Sequence, residues 1–378
     1  MKKALLIGFL LLFGAAYLDN SRGPLVPILA NVFQISYGTT TWFLVLGNLG
    51  AVAGLLGIVP MLRSFSIVQL ARGSLLFFCG LAVFLFWVKN LFTLFLFAGF
   101  LGAVIPVLGG LANLFVMEGS PIESRSKWFC GLHLFYGTAS LIAPFVCAFL
   151  LGKELPWFAP FLACIPLVLI ILTVLGFEKN ISADESVLEK SGFRLSRGHL
   201  LAIGIFCLYV AGEVMMSMWM VAYLESVVHL SLSESSRYLS GFFVTMTLSR
   251  ALCFFSLKES TEIKVLFGCV VLSMVFFFLG HFGYLICFAF AGILGPFFPI
   301  FLSLCTQKFP AHSRSFTMWL LASTQAALAL LNLIVGKLSD LLGMATAYYV
   351  PIILLILTLI FLGVFFLPKK EGTAVSPQ

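Results

Sequence analysis

The sequence predicts an all-α membrane protein of twelve transmembrane helices, arranged as two pseudo-symmetric six-helix bundles. Three observations lead there. Of the 378 residues 61% are hydrophobic and only 10% are charged, with a mean hydropathy of +1.11, whereas about a quarter of a soluble domain is charged. The chain divides into apolar runs long enough to cross a ~30 Å hydrocarbon layer, which takes roughly 20 helical residues. The two halves also repeat short motifs at a spacing of half the chain.

The runs fall at about 4–33, 37–62, 67–88, 91–118, 127–152, 157–176, 198–226, 232–256, 262–280, 282–306, 314–339 and 343–367, separated by Gly, Pro or charge. The first begins like a signal peptide, with Lys2 and Lys3 before Ala4 to Ala16. It stays apolar past Asp19 and Arg22, longer than a signal sequence needs, so an uncleaved span is expected. One polar stretch, Glu178 to Arg197, divides six spans from six. The expected organisation is a first bundle at 1–176, a linker at 177–197, a second bundle at 198–367 and a tail at 368–378. Nine cysteines all lie within apolar runs, with no C-x-x-C pair or metal-ligand spacing, and read as small apolar fillers.

Orientation follows from Lys and Arg, because cationic loops resist translocation. With the N-terminus inside, seventeen of the 22 cations fall at cytoplasmic ends and loops, including Arg63, Arg125, Arg250 and Arg314; Lys89, Lys153, Arg237 and Lys337 fall outside, and Arg22 is left within the membrane. The net charge of +7 thus reflects topology. Without a basic run interleaved with aromatics, nucleic acid is not an expected partner.

The repeat is explicit in two places. Pro121-Ile-Glu-Ser124-Arg125-Ser126 recurs as Pro310-Ala-His-Ser313-Arg314-Ser315 at an offset of 189, and Gly102-Ala-Val-Ile-Pro106 is echoed by Gly292-Ile-Leu-Gly-Pro296 at 190. Ser120, Pro121 and Glu123 also read locally as helix-start chemistry, a cap, a first-turn proline and a capping-box acid. Local chemistry explains one copy and not the shared spacing. Internal duplication is the architecture of many secondary transporters, whose site lies near the midplane between the repeats.

Ionisable residues at bilayer depth cost about 2.5–3.5 kcal/mol on insertion scales, so each needs a reason. Asp19 lies deep in the first span, and Arg22, three residues on, shares its face, as a structural ion pair or as a proton or substrate site. Pro24 and Pro27 are expected to bend this span. Glu213 in the seventh span has no cation within a turn, so it must protonate or find a distant partner. The run from Met215 through Trp219 to Tyr223 is plain packing or an aromatic platform for a sugar ring. Asn113, His133, Tyr136 and Gln325 are the other mid-span polar residues; His133 and Tyr136, three apart, share a face. His229 and His281 read as solvated loop edges. Arg125 and Arg314 open helices at the cytoplasmic face, where they snorkel or gate.

No G-x-x-x-x-G-K-[ST] loop, H-E-x-x-H, G-x-S-x-G or channel-filter motif is present. The chain is therefore expected to be no enzyme, to need no cofactor or metal, and to carry solute down or along a gradient.

At this level the chain resembles the major facilitator superfamily over nearly its whole length. Within it, Leu208-Tyr209-Val210-Ala211-Gly212-Glu213 with Trp219, Tyr223-Leu224 and Thr247-Leu248-Ser249-Arg250, together with Leu132-His133-Leu134-Phe135-Tyr136-Gly137, resembles the fucose:proton symporter branch. That resemblance implies proton-linked sugar transport. The sequence departs from the branch at Gly109, where such members place a glutamate four residues before the asparagine matching Asn113. The superfamily's G-x-x-x-D-R-x-G loop is reduced to Gly57 and Arg63, and a similar Gly336-Lys-Leu-Ser-Asp340-Leu-Leu-Gly343 ends the eleventh span.

The expectation is a monomeric, alternating-access carrier of a small polar solute in a bacterial cytoplasmic membrane, with both termini cytoplasmic. Asp19 and Glu213 would couple protons. Arg22, Asn113, His133, Tyr136, Trp219 and Gln325 would meet solute, and Arg125, Arg250, Arg314 and Asp340 would gate. An exporter of hydrophobic compounds, suggested by 42 Phe, and a non-transporting receptor on a carrier scaffold remain alternatives.

Overall fold

A computed structural model describes residues 2–35, 37–176 and 194–366. The linker and the tail expected at 177–197 and 368–378 lie outside the described residues, apart from positions 194–197 at the linker's end. Among the described residues there is no strand. The spanning helices are α1 (Lys2–Val32), α2 (Tyr37–Met61), α3 (Ile67–Phe84), α4 (Leu91–Gly119), α5 (Arg125–Leu151), α6 (Ile165–Gly176), α7 (Arg197–Ser226), α8 (Leu232–Ser256), α9 (Glu262–His281), α10a (Ile286–Phe290) with α10b (Phe297–Lys308), α11 (Ser313–Leu342) and α12 (Val350–Phe366). Eleven of these spans are long and apolar enough to cross a membrane; α11, with 30 residues, is the remaining one. The helix of α1 continues through Pro24 and Pro27.

Helix ends follow local chemistry. Ser66, Asn90, Ser196 and Ser231 each close a capping box with the residue three positions on, satisfying donors that a helix leaves open. Ser120 does not: its Oγ donates back to Val116 O at 2.6 Å, Ile122–Ser124 form a 3₁₀ turn, and α5 starts at Arg125. The expected forward cap at Ser120 is thus a closure of α4. Gly343 ends α11 at φ 80°, a conformation that favours glycine.

We call the face carrying the 62–66, 120–124, 257–261 and 309–312 loops the basic face. In the first half α1 packs on α4 and α5, α2 on α4, and α3 on α4 and α6; in the second, α7 packs on α8, α11 and α12, and α8 on α10a and the following turn. Without a hydrophobic drive between helices in lipid, close approach of small residues supplies the association. The repeated glycines sit where this happens. A Cβ on Gly102 of α4 would lie 2.0 Å from Gly47 O of α2, and one on Gly292 would lie 2.1 Å from Phe242 O of α8. The last helix of each half is also fastened alike: Arg72 donates to Leu175 O of α6, and Lys308 Nζ to Phe365 O of α12 at 2.8 Å.

The copies differ in one respect. Pro106 lies within an unbroken α4, but the tenth span, expected as one helix, breaks into α10a, a 3₁₀ turn at Ala291–Leu294 and α10b. Pro296 and Pro299 both lack an N–H within one turn of each other, and the helix cannot continue through both.

The halves meet along α5 with α8 and α10b, and along α11 with α2 and α4. Contacts that fix this seam lie toward the basic face: Trp128 against Phe254 at 5.7 Å, His133 against Phe298 at 4.7 Å, and Gly110 beneath Met318.

Candidate functional site

In the first half α1 and α5 build one polar cluster. Arg22 pairs with Asp19, one turn away on the same helix face. Tyr136 O–H donates to the other carboxylate oxygen of Asp19 at 3.2 Å, and Asn20 Nδ2 donates to Ser140 Oγ at 2.9 Å. Space for the guanidinium comes from α2, where a Cβ on Gly47 would lie 2.7 Å from Arg22 Nη1. The Asp19 side chain is 32% exposed and Arg22 16%, so the pair is reachable at the surface of its half. Asn20 was not anticipated; its signal was adjacency to Asp19.

In the second half α7 and α8 build another. Glu213 has Arg250 Nη2 at 3.7 Å and Tyr209, one turn back, hydrogen-bonded to its carboxyl. Arg250 Nε donates to Gly295 O at 2.9 Å, and Tyr209 also reaches Leu294 O at 2.9 Å. Arg250 was counted at the cytoplasmic end of its span. It is instead 5% exposed within the bundle, because Glu213 and a carbonyl freed by the broken helix give its charge partners there. The distant partner required for Glu213 is therefore Arg250, and Tyr209, which the sequence marks only as part of a motif, belongs to the same cluster.

His133 stands between the clusters, with its ring 6.5 Å from Tyr136 and Arg250 close enough to act on it electrostatically. Its Nε2 is buried without a partner, as are Asn113 Oδ1 and Trp219 Nε1. Asn113 Nδ2 turns back to Gly109 O at 2.8 Å. Gln325 is half-buried on α11, at an offset of 189 from Tyr136, the spacing of the repeat. Asn113, Trp219 and Gln325 join neither cluster by a described hydrogen bond. His281 is not solvated as expected: its Nδ1 bonds Phe277 O at 2.9 Å, and Tyr223, Tyr348, Tyr349 and Phe288 surround the ring.

At the basic face Arg314 Nε donates to Glu118 Oε1 at 2.6 Å, joining α11 to α4 across the seam. Glu118 was missed, since nothing local relates residues 196 apart. The repeat offset places Gln307 where an acid would face Arg125, and Arg125 Nε is buried without a hydrogen-bond partner. The side chain of Asp340 lies outside the described residues.

Among the described residues no three His, Cys, Asp or Glu side chains gather as a metal site. A cleft of about 440 Å³ between α2, α3 and α4, lined by Ile58, Phe65, Phe77 and Val107, holds none of the residues above.

Two similar six-helix bundles, each holding an acid–arginine pair among its apolar helices, are the architecture of a multi-pass membrane carrier. The chain belongs to the Major Facilitator Superfamily, a family of membrane transporters, whose model matches residues 5–318. Among curated proteins it is similar to a "Protein TsgA homolog" of Buchnera aphidicola subsp. Baizongia pistaciae, 22% identical over 242 residues. The chain spans only 61% of that relative's length, using 61% of its own. Among solved structures it is similar to the E. coli fucose:proton symporter FucP, at TM-score 0.79 and 16% identity over 96% of this chain and 98% of that one. FucP in an outward conformation superposes at TM-score 0.78, also 16% identical over 96% and 98%. The proton:xylose symporter XylE gives TM-score 0.76 and 13% identity over 97% and 95%. Identities this low establish the fold.

Proposed function

We propose that this transporter moves a small polar solute, of the sugar class, by alternating access, with Asp19 and Glu213 carrying the coupling protons. The observation that supports it most is the placement of one acid–arginine–tyrosine cluster in each half: Asp19, Arg22 and Tyr136 in one, Glu213, Arg250 and Tyr209 in the other. A carboxyl held between a cation and a phenol has partners in both its ionised and its neutral form, which is what a reversible proton carrier needs. The proton-coupled sugar symporters FucP and XylE among the structural neighbours favour the same reading.

In this proposal the basic face is cytoplasmic, by the positive-inside rule, in a bacterial inner membrane, and the protein acts as a monomer. The closed seam at that face is then an outward-facing state, with Arg314 and Glu118 as its lock and Arg125 and Asp340 as further gate elements. Arg22, Tyr136 and His133 meet solute from the first half, with Asn113, Trp219 and Gln325 lining the path.

The test starts with a thermal-shift screen over sugars, sugar acids, amino acids and nucleosides, followed by counterflow of the hits in proteoliposomes. Loss of pH-dependent uptake in Asp19→Asn and Glu213→Gln is expected. Wild-type-like, pH-dependent uptake in both variants would overturn the mechanism.

A further inference from the structure

The turn that breaks the tenth span is clamped from outside. Pro299 has no N–H, so Gly295 O lacks its helical donor four residues on, and an unmet carbonyl at membrane depth is unfavourable. Three side chains answer. Ser273 Oγ of α9 donates to Ala291 O at 2.6 Å, Tyr209 to Leu294 O at 2.9 Å, and Arg250 Nε to Gly295 O at 2.9 Å.

Two of these three clamps also face Glu213. A phenol has one proton, yet the Tyr209 oxygen lies against both Glu213 Oε2 and Leu294 O. Between a carboxylate and a carbonyl that proton serves one acceptor and leaves the other facing a lone pair. When Glu213 is protonated both contacts are satisfied, because Glu213 O–H donates to Tyr209 and Tyr209 O–H donates to Leu294. Arg250 fits the same state: its Nη2 stands 3.7 Å from Glu213 Oε1, beyond hydrogen-bond reach, while Nε holds Gly295.

We infer that Tyr209 and Arg250 are positioning residues that report the proton on Glu213 to the Ala291–Leu294 turn, fastening it when Glu213 is neutral and releasing it when Glu213 is ionised. Ionised Glu213 is the strongest acceptor within reach of both donors, and it draws them off Leu294 and Gly295. The released turn frees α10b, whose Phe298 packs on His133 across the seam, so the proton in one half acts on the contact between halves. The inference rests on the reading of Glu213 as a proton carrier. The charged and titratable groups facing Glu213 are Tyr209 on α7, Arg250 on α8 and Cys269 on α9, with His133 of α5 facing Arg250. Among the described residues of α11 and α12, also packed on α7, none acts on it.

The test needs no substrate. With the full chain in lipid nanodiscs, infrared difference spectra follow the carboxylic C=O stretch that Glu213→Gln removes. Hydrogen exchange of peptides covering 286–298, corrected for the intrinsic pH dependence of exchange, follows the clamps. In the wild type, exchange in the segment is expected to rise roughly tenfold as pH passes the infrared midpoint. Glu213→Gln, whose amide donates to Tyr209 as the neutral acid does, should stay protected at every pH. Tyr209→Phe should exchange faster than wild type at every pH and keep only the smaller pH step that Arg250 carries, and Ser273→Ala, a clamp apart from Glu213, should exchange faster while keeping the full pH step. Equal wild-type exchange on both sides of the midpoint, or an unchanged pH step in Glu213→Gln, overturns the inference and leaves proton coupling standing. A turn that follows Glu213 while uptake ignores the proton gradient keeps the inference and removes the transport reading.

Discussion

Gly102 and Gly292 hold the same place in the two halves. Each lies where a neighbouring helix brings a backbone carbonyl, Gly47 O or Phe242 O, to 2.0 or 2.1 Å from the position a Cβ would take. No side chain can yield there, because the obstacle is main chain. Gly102→Ala and Gly292→Ala should each destabilise by about 1–3 kcal/mol or more, seen as a lower melting temperature in detergent. Gly109→Ala is the control: its Cβ would meet Leu12 at an ordinary 3.5 Å, so stability should stay close to wild type.

The Arg314–Glu118 pair at 2.6 Å joins the halves directly, with the arginine side chain 10% and the acid 25% exposed. A partly solvated pair of this kind contributes on the order of 1 kcal/mol, roughly a fivefold bias in the ratio of closed to open seam. Glu118→Gln and Arg314→Gln should therefore raise the population open at the basic face by about that factor, measured by spin-label distances between α4 and α11. The exchanged pair Glu118→Arg with Arg314→Glu should restore the closed distances. No change in either single variant would remove the lock.

Tyr136 gives the Asp19 carboxylate a donor that Arg22 does not replace, since the two bind different oxygens. A hydrogen bond to a charged group is worth about 1.5–3 kcal/mol. Tyr136→Phe should lower flux tenfold or more while leaving the melting temperature near wild type. A fall in stability with unchanged flux would make Tyr136 a packing residue.

Glu234 lies outside the membrane-spanning part of α8 and closes its capping box, accepting from Ser231 Oγ at 2.7 Å and Ser231 N at 3.1 Å. These two bonds, the hydroxyl first, hold the carboxyl below its ordinary range. A depressed acid stabilises the fold above its unfolded value and loses that contribution as pH falls through the folded one. Exchange at the start of α8 should thus rise below roughly pH 4.3, the ordinary glutamate value. In Glu234→Gln the acid step should disappear.

The span limits were readable because lipid imposes them: a run expected at 198–226 is the helix Arg197–Ser226. Asp19 and Arg22 were readable as a pair because three residues place them on one face. Glu213 and Arg250 were not, since their meeting depends on how α7 packs against α8. Glu118 and Arg314 depend on contact between halves, which no local rule carries. The break in the tenth span had a signal, Pro296 and Pro299 three residues apart, but the unbroken apolar run at 282–306 pointed to a continuous helix. His281 read as a loop residue because its aromatic enclosure comes from α7, α10a and the chain before α12. Asn113 and Gln325 stood out as polar residues in apolar runs, and no described hydrogen bond joins them to either ion pair.

The two deep arginines keep their acids within their own six-helix bodies, Arg22 with Asp19 and Arg250 with Glu213. In the proposed tilt of one body against the other, neither of these salt links would be pulled apart by the motion. With both acids ionised, such a tilt would move almost no net charge along the electric field, whereas each proton carried in the proposed mechanism adds one elementary charge, weighed by about 2.3 kcal/mol for every 100 mV. Membrane voltage would then act on the proton-loaded swing, while the unloaded return would run at the same pace in polarised and depolarised vesicles.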